Sequence, residues 1–397
     1  MSVTLVPGGG PLGPYAAGYR EWLAGRGYLP GQVGRQLRLF ADISRWLAES
    51  GAGTDALTGD GLAEYAGVRR AGGQFLYSAR ALIPLLRYLR ELGVIPAAAP
   101  RGPEGAVGEM LAGFGRYLAE ERGLSGFTAG RYEYWARRFL AQPGGLPPGQ
   151  LRAADVHRFV AASCRELSVP AAKQMVSALR ALLRFWHVSG VTGQELAGAV
   201  PGVPGWSMSH LPEGLTPGEV AGLLGACDRT TGKGRRDYAV LCLLSRLGLR
   251  AGEIAVLCLE DVDWHRGELV VRGKDRRQER LPLPADVGAA LAAYLRSGRP
   301  AGRHRELFLR VQAPRGPLSR SGVSAIAVRA GRAAGIAGAG AHRLRHSVAT
   351  ELLGQGATLA EVGQVLRHAS ASSTAIYAKV DRLALAGLAR PWPGSAS

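Results

Sequence analysis

Near the C-terminal end of the chain lie side chains suited to handling a phosphate ester. In the stretch from Ala341 to Asp381, AHRLRHSVATELLGQGATLAEVGQVLRHASASSTAIYAKVD, His342 and Arg345 stand three apart in a helical run and so share a face. His346 follows Arg345 directly. His368 comes after a second helical run, Thr358 to Arg367, and Tyr377 stands nine residues further on, behind a Ser/Thr-rich turn. A guanidinium grips phosphate oxygens with a planar fork. An imidazole moves protons near neutral pH, and a tyrosine hydroxyl can be a covalent nucleophile.

This pattern resembles the tyrosine recombinase (phage integrase) family, whose box runs H-x-x-R, then His or Trp, then the nucleophilic Tyr. Here it stands as His342-Arg343-Leu344-Arg345, His368 and Tyr377, with Leu344 and His346-Ser347 flanking as in the family. The resemblance makes His346 structural, so it stays outside the expected site. Arg367 stands where the family more often has a Gly before His368. Such a Gly ends a helix, so the cap there is a point of departure.

The resemblance requires two further parts upstream, an arginine and a lysine. Tyr238 to Cys258, YAVLCLLSRLGLRAGEIAVLC, reads as one helical run. Within it Leu247-Gly248-Leu249-Arg250 with Glu253 resembles the family's T-G-L-R-x-x-E box, Leu247 replacing the commoner Thr. This supplies Arg250, with Glu253 as its buttress. Two short runs, Glu268 to Lys274 and Arg280 to Leu283, flank the polar stretch Asp275 to Glu279 and predict a β-hairpin. Lys274 stands at that turn, 24 residues past Arg250, and is the one lysine between Lys233 and Lys379. In a chain that writes Arg almost everywhere, a Lys is a group able to give up a proton.

The resemblance covers about residues 110 to 385, with the specific motifs in 247 to 381. It implies site-specific DNA recombination: integration, excision or transposition of a mobile element through a 3′-phosphotyrosyl intermediate. The implied catalytic set is Arg250, Lys274, His342, Arg345, His368 and the nucleophile Tyr377, with no metal and no cofactor. His342 would accept or hold the tyrosine proton, and Lys274 would protonate the leaving 5′-oxygen. Implied partners are double-stranded DNA and further copies of the chain, a dimer on a site and a tetramer in the synapse. A type IB topoisomerase-like nicking-resealing enzyme shares the chemistry. A catalytically silent DNA-binding regulator would have lost Lys, Arg or Tyr, and a His/Arg phosphatase would lack the tyrosine and the helical modules.

The elements that must position these residues make an expected fold that is mainly α, with a small β-sheet in the catalytic domain. Tandem helical DNA-binding modules precede that domain. Residues 1–100 read as an N-terminal helical (SAM-like) module, 106–200 as a helical core-DNA-binding domain, and 212–397 as the catalytic domain with its C-terminal tail. Pro/Gly-rich stretches, Ile95 to Gly105 and residues 200–214, read as linkers. Residues 1–12, Gly- and Pro-rich, read as flexible. Thr216-Pro217 marks a helix start, with Thr as N-cap and Pro at the first position.

The two helical modules keep one order of landmarks. Gly34-Arg35 matches Gly130-Arg131, and Leu57 to Tyr65 parallels Leu151 to Phe159. Arg87-Tyr88-Leu89 with Gly93-Val94 parallels Arg184-Phe185-Trp186 with Gly190-Val191. This is the signature of a repeat. An arm-site binder or a protein-contact module would also fit the first.

Net charge is +18 and the isoelectric point about 10.5, a balance that points to a polyanion, most often nucleic acid. Of 49 basic residues four are lysine, so base composition explains Arg over Lys but not base over acid. Arg35, Arg131, Arg303, Arg305, Arg315 and Arg320 are candidate DNA contacts. No run of 18 apolar residues and no signal-peptide pattern is present, so no membrane is expected and the location reads as cytoplasmic. Cys164, Cys227, Cys242 and Cys258 lack metal spacing and read as buried free thiols in helices.

Overall fold

The computed structural model describes residues 10–57, 59–71, 79–96, 105–142, 147–204, 214–273, 278–368 and 374–379. The chain divides into two compact units, one formed by Met1–Ile95 with His210–Ser397, the other by Pro96–Ser209.

The first helices are α1 (Ala16–Gly25), α2 (Pro30–Glu49), α3 (Gly59–Ala71) and α4 (Ile83–Glu91). Pro30 opens α2 where a missing N–H costs nothing, and the Gln32 side chain accepts the Leu29 N–H at 3.0 Å. Gly51 ends α2 at φ +66. Tyr19, Leu23, Phe40, Ile43 and Leu89 fill the core between these helices. The expectation of a flexible start is corrected at its end. Leu12 is fully buried in this core, and its N–H donates to Ser44 Oγ at 3.3 Å. One apolar side chain with a hole to fill outweighs a Gly/Pro-rich composition.

The second unit holds α5 (Gly105–Arg116), α6 (Gly126–Leu140), α7 (Ala153–Glu166) and α8 (Val169–Val188). Ser125 caps α6 by accepting the Thr128 N–H. Phe114, Trp135, Phe139, Leu182 and Trp186 are buried together as its core.

The remaining elements are α9 (Pro217–Gly225), α10 (Gly232–Arg246), α11 (Ala251–Ala255), β1 (Val262–Asp263), β2 (Glu268–Arg272), β3 (Gln278–Pro282), α12 (Ala285–Ser297), α13 (Arg320–Ala333), α14 (Ala341–Gly354) and α15 (Leu359–Val365). Thr216 caps α9 in a reciprocal box with Glu219. The strands form an antiparallel sheet in the order β1-β2-β3, with Leu269 opposite Leu281 and Arg272 opposite Gln278. Leu269 and Val271 alternate inward from β2 onto the core of α10, α12 and α13. The 301–316 loop is pinned by Phe308, stacked on Tyr294 at 5.4 Å, while the Leu309 N–H donates to the Tyr294 hydroxyl.

The single helix expected from Tyr238 to Cys258 is two helices. α10 stops at Arg246, Gly248 turns at φ +58, and Arg250 becomes the N-cap of α11. The thiols also differ from expectation. All four are free, but only Cys242 is fully buried, and Cys258 sits in a β-bridge with Glu306 rather than a helix.

Candidate active site

The break at Gly248 creates the site. A Cβ there would approach Leu366 Cδ2 to 2.7 Å, and its positive φ excludes most other residues. The turn brings Arg250 to the start of α11, where Glu253 serves it twice. The Glu253 carboxylate accepts the Arg250 backbone N–H at 2.8 Å and its guanidinium at 2.7 Å. Glu253 also accepts from Arg367 at 3.1 Å. Burial pushes the Glu253 carboxyl up, but the bond from the Arg250 backbone and the charges of Arg367 and Arg250 outweigh it, holding the carboxyl below its usual range.

Arg367 resolves the departure noted in the sequence. It takes the left-handed conformation itself, at φ +54. Its N–H bonds the Gln364 carbonyl and the His368 N–H bonds the Gly363 carbonyl, each at 2.9 Å, which is the Schellman closure of α15. A non-Gly residue there costs roughly 1–2 kcal/mol, offset by the buried pair with Glu253.

Helix α14 presents His342, Arg345 and His346. Arg345 is 4% exposed and donates to the carbonyls of Gly248, at 2.5 Å, and Leu366. It thereby ties the Gly248 turn to the end of α15. Burial and the Arg250 charge make its own charge costly, yet a guanidinium remains protonated in proteins. The rings of His342 and His346, four apart on one face, meet at 4.2 Å.

Tyr377 lies in a short 3₁₀ turn, Ile376–Lys379, buried with Val348, Leu353, Val362 and Leu366. Its hydroxyl is 2.7 Å from His346 Nδ1. The His368 ring lies parallel to the Tyr377 ring, with centroids 6.3 Å apart, and its Nδ1 is 2.7 Å from Thr374 Oγ1. Burial pushes the phenol up, partly countered by Arg345. Burial, then His342 and Arg345, lower His346 to about 4. Burial, then the three neighbouring arginines, lower His368 to about 4. His342 is lowered by burial and by Arg345 and Arg250. At neutral pH these imidazoles are uncharged proton acceptors, and among the described residues the surrounding fixed charge is three arginines against Glu253.

Arg250, Glu253, His342, Arg345, His368 and Tyr377 are thus brought together. Lys274 lies outside the described residues, between paired strands β2 and β3. His346, which sequence reasoning set aside, is the residue on the tyrosine hydroxyl. Its one signal was its four-residue spacing from His342. Of the candidate DNA contacts, Arg320 reaches toward Gly252 of α11. Arg305 pairs with Glu260 at 3.3 Å, and Arg315 packs against Gly27, its N–H donating to the Arg26 carbonyl. Arg303 is exposed in its loop, and Arg35 and Arg131 lie on exposed faces of α2 and α6. Among the described residues no His/Cys/Asp/Glu group could hold a metal ion, and no helix is long and apolar enough to cross a membrane.

The family model described as the Phage integrase family matches residues 213–383. A putative integrase/recombinase of Sinorhizobium fredii, y4rA, is 40% identical over 398 residues, covering 98% of this chain and 97% of its own length. The tyrosine recombinase XerD of Mycobacterium tuberculosis is 35% identical over 292 residues, 68% of this chain and 93% of its own. Among solved structures, XerH site-specific recombinase bound to a palindromic difH substrate has a TM-score of 0.57 at 20% identity, over 73% of this chain and 98% of that one. A lambda integrase dimer bound to a COC′ core site has a TM-score of 0.55 at 19% identity, over 82% and 93%. At these identities the two structures speak for the fold.

Proposed function

The chain belongs to the phage integrase family of tyrosine recombinases, and on that premise we propose that it breaks and rejoins double-stranded DNA at specific sites with Tyr377 as the nucleophile. The observation that carries this reading is the charge around the tyrosine. Arg250 and Arg367 pair with one carboxylate, Glu253, and Arg345 adds a third charge beside them, while the three histidines are held neutral. A half-buried site with that surplus is stabilised by an anion, and a phosphodiester is an anion whose negative charge grows during substitution.

The Tyr377 oxygen attacks phosphorus and the bond to the 5′-oxygen breaks, leaving a 3′-phosphotyrosyl link and a 5′-hydroxyl. The phenol proton passes to an imidazole, His346 in the arrangement described. Arg250 and Arg345 hold the non-bridging oxygens, His368 bonds one of them, and Lys274 protonates the leaving oxygen. A 5′-hydroxyl from a partner strand then reverses the step, so the bond energy stays in the phosphotyrosine.

Arg345 now spends its donors on the Gly248 and Leu366 carbonyls, and Tyr377 is 2% exposed. The described arrangement is therefore closed, and DNA must exchange these bonds for phosphate contacts. Residues 106–200, within the second unit, serve as the core-DNA-binding domain. The protein works in the cytoplasm as a dimer on each site and a tetramer in the synapse. The test is Tyr377→Phe on a nicked suicide substrate read on a denaturing gel. DNA binding is expected to survive and covalent attachment to vanish; covalent product from the variant would assign the attack to another residue.

A further inference from the structure

Two aromatic clusters, one in each helical module, are built alike. Between α1 and α4, Tyr19 and Trp22 meet Tyr88 with ring centroids 5.2 and 5.9 Å away. In residues 105–200, Phe114 and Tyr117 meet Phe185 at 5.7 and 5.2 Å. Each cluster sits on a glycine. A Cβ on Gly18 would come 2.4 Å from the Tyr88 hydroxyl, and one on Gly113 would come 3.3 Å from the Phe185 ring. The last helix of each module ends on the same closure, Gly93 at φ +71 and Gly190 at φ +70. In each the next N–H returns to the carbonyl of Leu89 or Trp186. The long helices bury one register, Leu39, Phe40 and Ile43 in α2 and Trp135, Ala136 and Phe139 in α6. Unrelated helical bundles share amphipathic pattern, but not the same ring contacts, glycine and cap in the same order.

From this repeat, and resting on the reading of residues 106–200 as a DNA-binding domain, we infer that residues 10–95 are a second DNA-binding module that holds duplex DNA by its phosphates along the outward face of α2. Arg35, Arg38 and Arg45 are exposed on that face at helical spacing. The matching face of α6 carries Arg131 over the Phe127 ring, with Tyr134 exposed beyond it. The two faces differ in kind. The α6 face adds aromatic groups, whereas the α2 face presents Arg35 and Arg38, with Arg45 3.8 Å from Asp42, as cations suited to phosphate oxygens, whose contacts fix position on the duplex. The first module therefore adds affinity and site length.

The test uses the full chain and a fluorescein-labelled 60-base-pair duplex of arbitrary sequence, with binding followed by anisotropy across a sodium chloride series. Each lost phosphate contact lowers the slope of log affinity against log salt by about 0.9. Arg35→Gln/Arg38→Gln is expected to reduce the slope by about 1.8 and to keep the wild-type melting temperature, both side chains being exposed. Arg131→Gln/Arg137→Gln, two arginines exposed on α6, is measured alongside. If the second pair lowers the slope and the first leaves it unchanged, the inference fails while the reading of residues 106–200 stands. If neither pair changes it, both fall, and the covalent-attachment assay still decides separately on Tyr377.

Discussion

His346 Nδ1 stands 2.7 Å from the hydroxyl of Tyr377, and the His342 ring meets the His346 ring at 4.2 Å. A neutral His346 carrying its proton on Nε2 leaves Nδ1 to accept from the phenol. Burial is what keeps it neutral. The same burial raises the phenol, so Tyr377 as the proposed nucleophile needs a nearby acceptor to lose its proton near pH 7.

His346→Phe keeps a ring but removes the acceptor. Covalent attachment should slow by roughly 10²-fold or more, the usual scale for a lost proton acceptor. His346→Asn places an amide oxygen near the Nδ1 position, so it should restore placement of the hydroxyl without accepting its proton. Its melting temperature should return to the wild-type value while its cleavage rate stays low. Single-turnover cleavage with both variants separates the roles, and wild-type rates from the Phe variant would reduce His346 to packing.

Stability should fall on mild acidification. His346 and His368 are lowered from 6.5 to about 4 in the folded chain, by burial first and then by neighbouring positive groups. Between those values the unfolded chain binds more protons, so stability is complete above about pH 6.5 and is lost as pH falls toward 4. The lowered Glu253 adds its loss only below the ordinary carboxylate range. Melting temperature against pH should drop by several degrees from pH 7 to 5, and His346→Asn/His368→Asn should flatten that drop.

Glu253→Gln keeps a cap for α11 but strips the counter-charge from Arg250 and Arg367. Breaking a buried pair costs about 3–5 kcal/mol. The low end is expected here, because the Arg250 side chain is 42% exposed. An added anion should then recover more stability in the variant than in wild type. Melting with and without inorganic sulfate at matched ionic strength measures this, and equal shifts would mean that Glu253 does not balance the cluster.

Much of this was legible in the chain because it was local. The Thr216 cap and the β2–β3 hairpin follow from residues within a few positions of each other. His342 and Arg345 share a face by spacing alone. What was not legible depended on distant contacts. The run through Leu247 to Arg250 is apolar enough to read as helix, and the turn at Gly248 is imposed by Leu366 and by Arg345 holding its carbonyl. His346 meets Tyr377 only because the chain after α15 folds back onto α14, which no spacing reveals. Arg367 in a glycine's conformation needed Glu253, far upstream, to make it tolerable.

Lys274 carries the last prediction. The leaving group is a 5′-alkoxide, whose conjugate acid is about as weak as water. A positioned donor should contribute roughly 10²–10⁴ in rate, whereas a thiol of pKa about 8.5 leaves unaided. Lys274→Ala should therefore cleave a normal site 10²-fold or more slowly. It should cleave a site with sulfur at the bridging 5′ position nearly as fast as wild type. Arg250→Ala should gain nothing from sulfur, since the part proposed for it is to hold non-bridging oxygens against charge that develops with either leaving group. Single-turnover cleavage of both substrates by both variants decides the matter. Sulfur that rescued the two equally, or rescued neither, would make Lys274 one more cation gripping phosphate from the hairpin between β2 and β3.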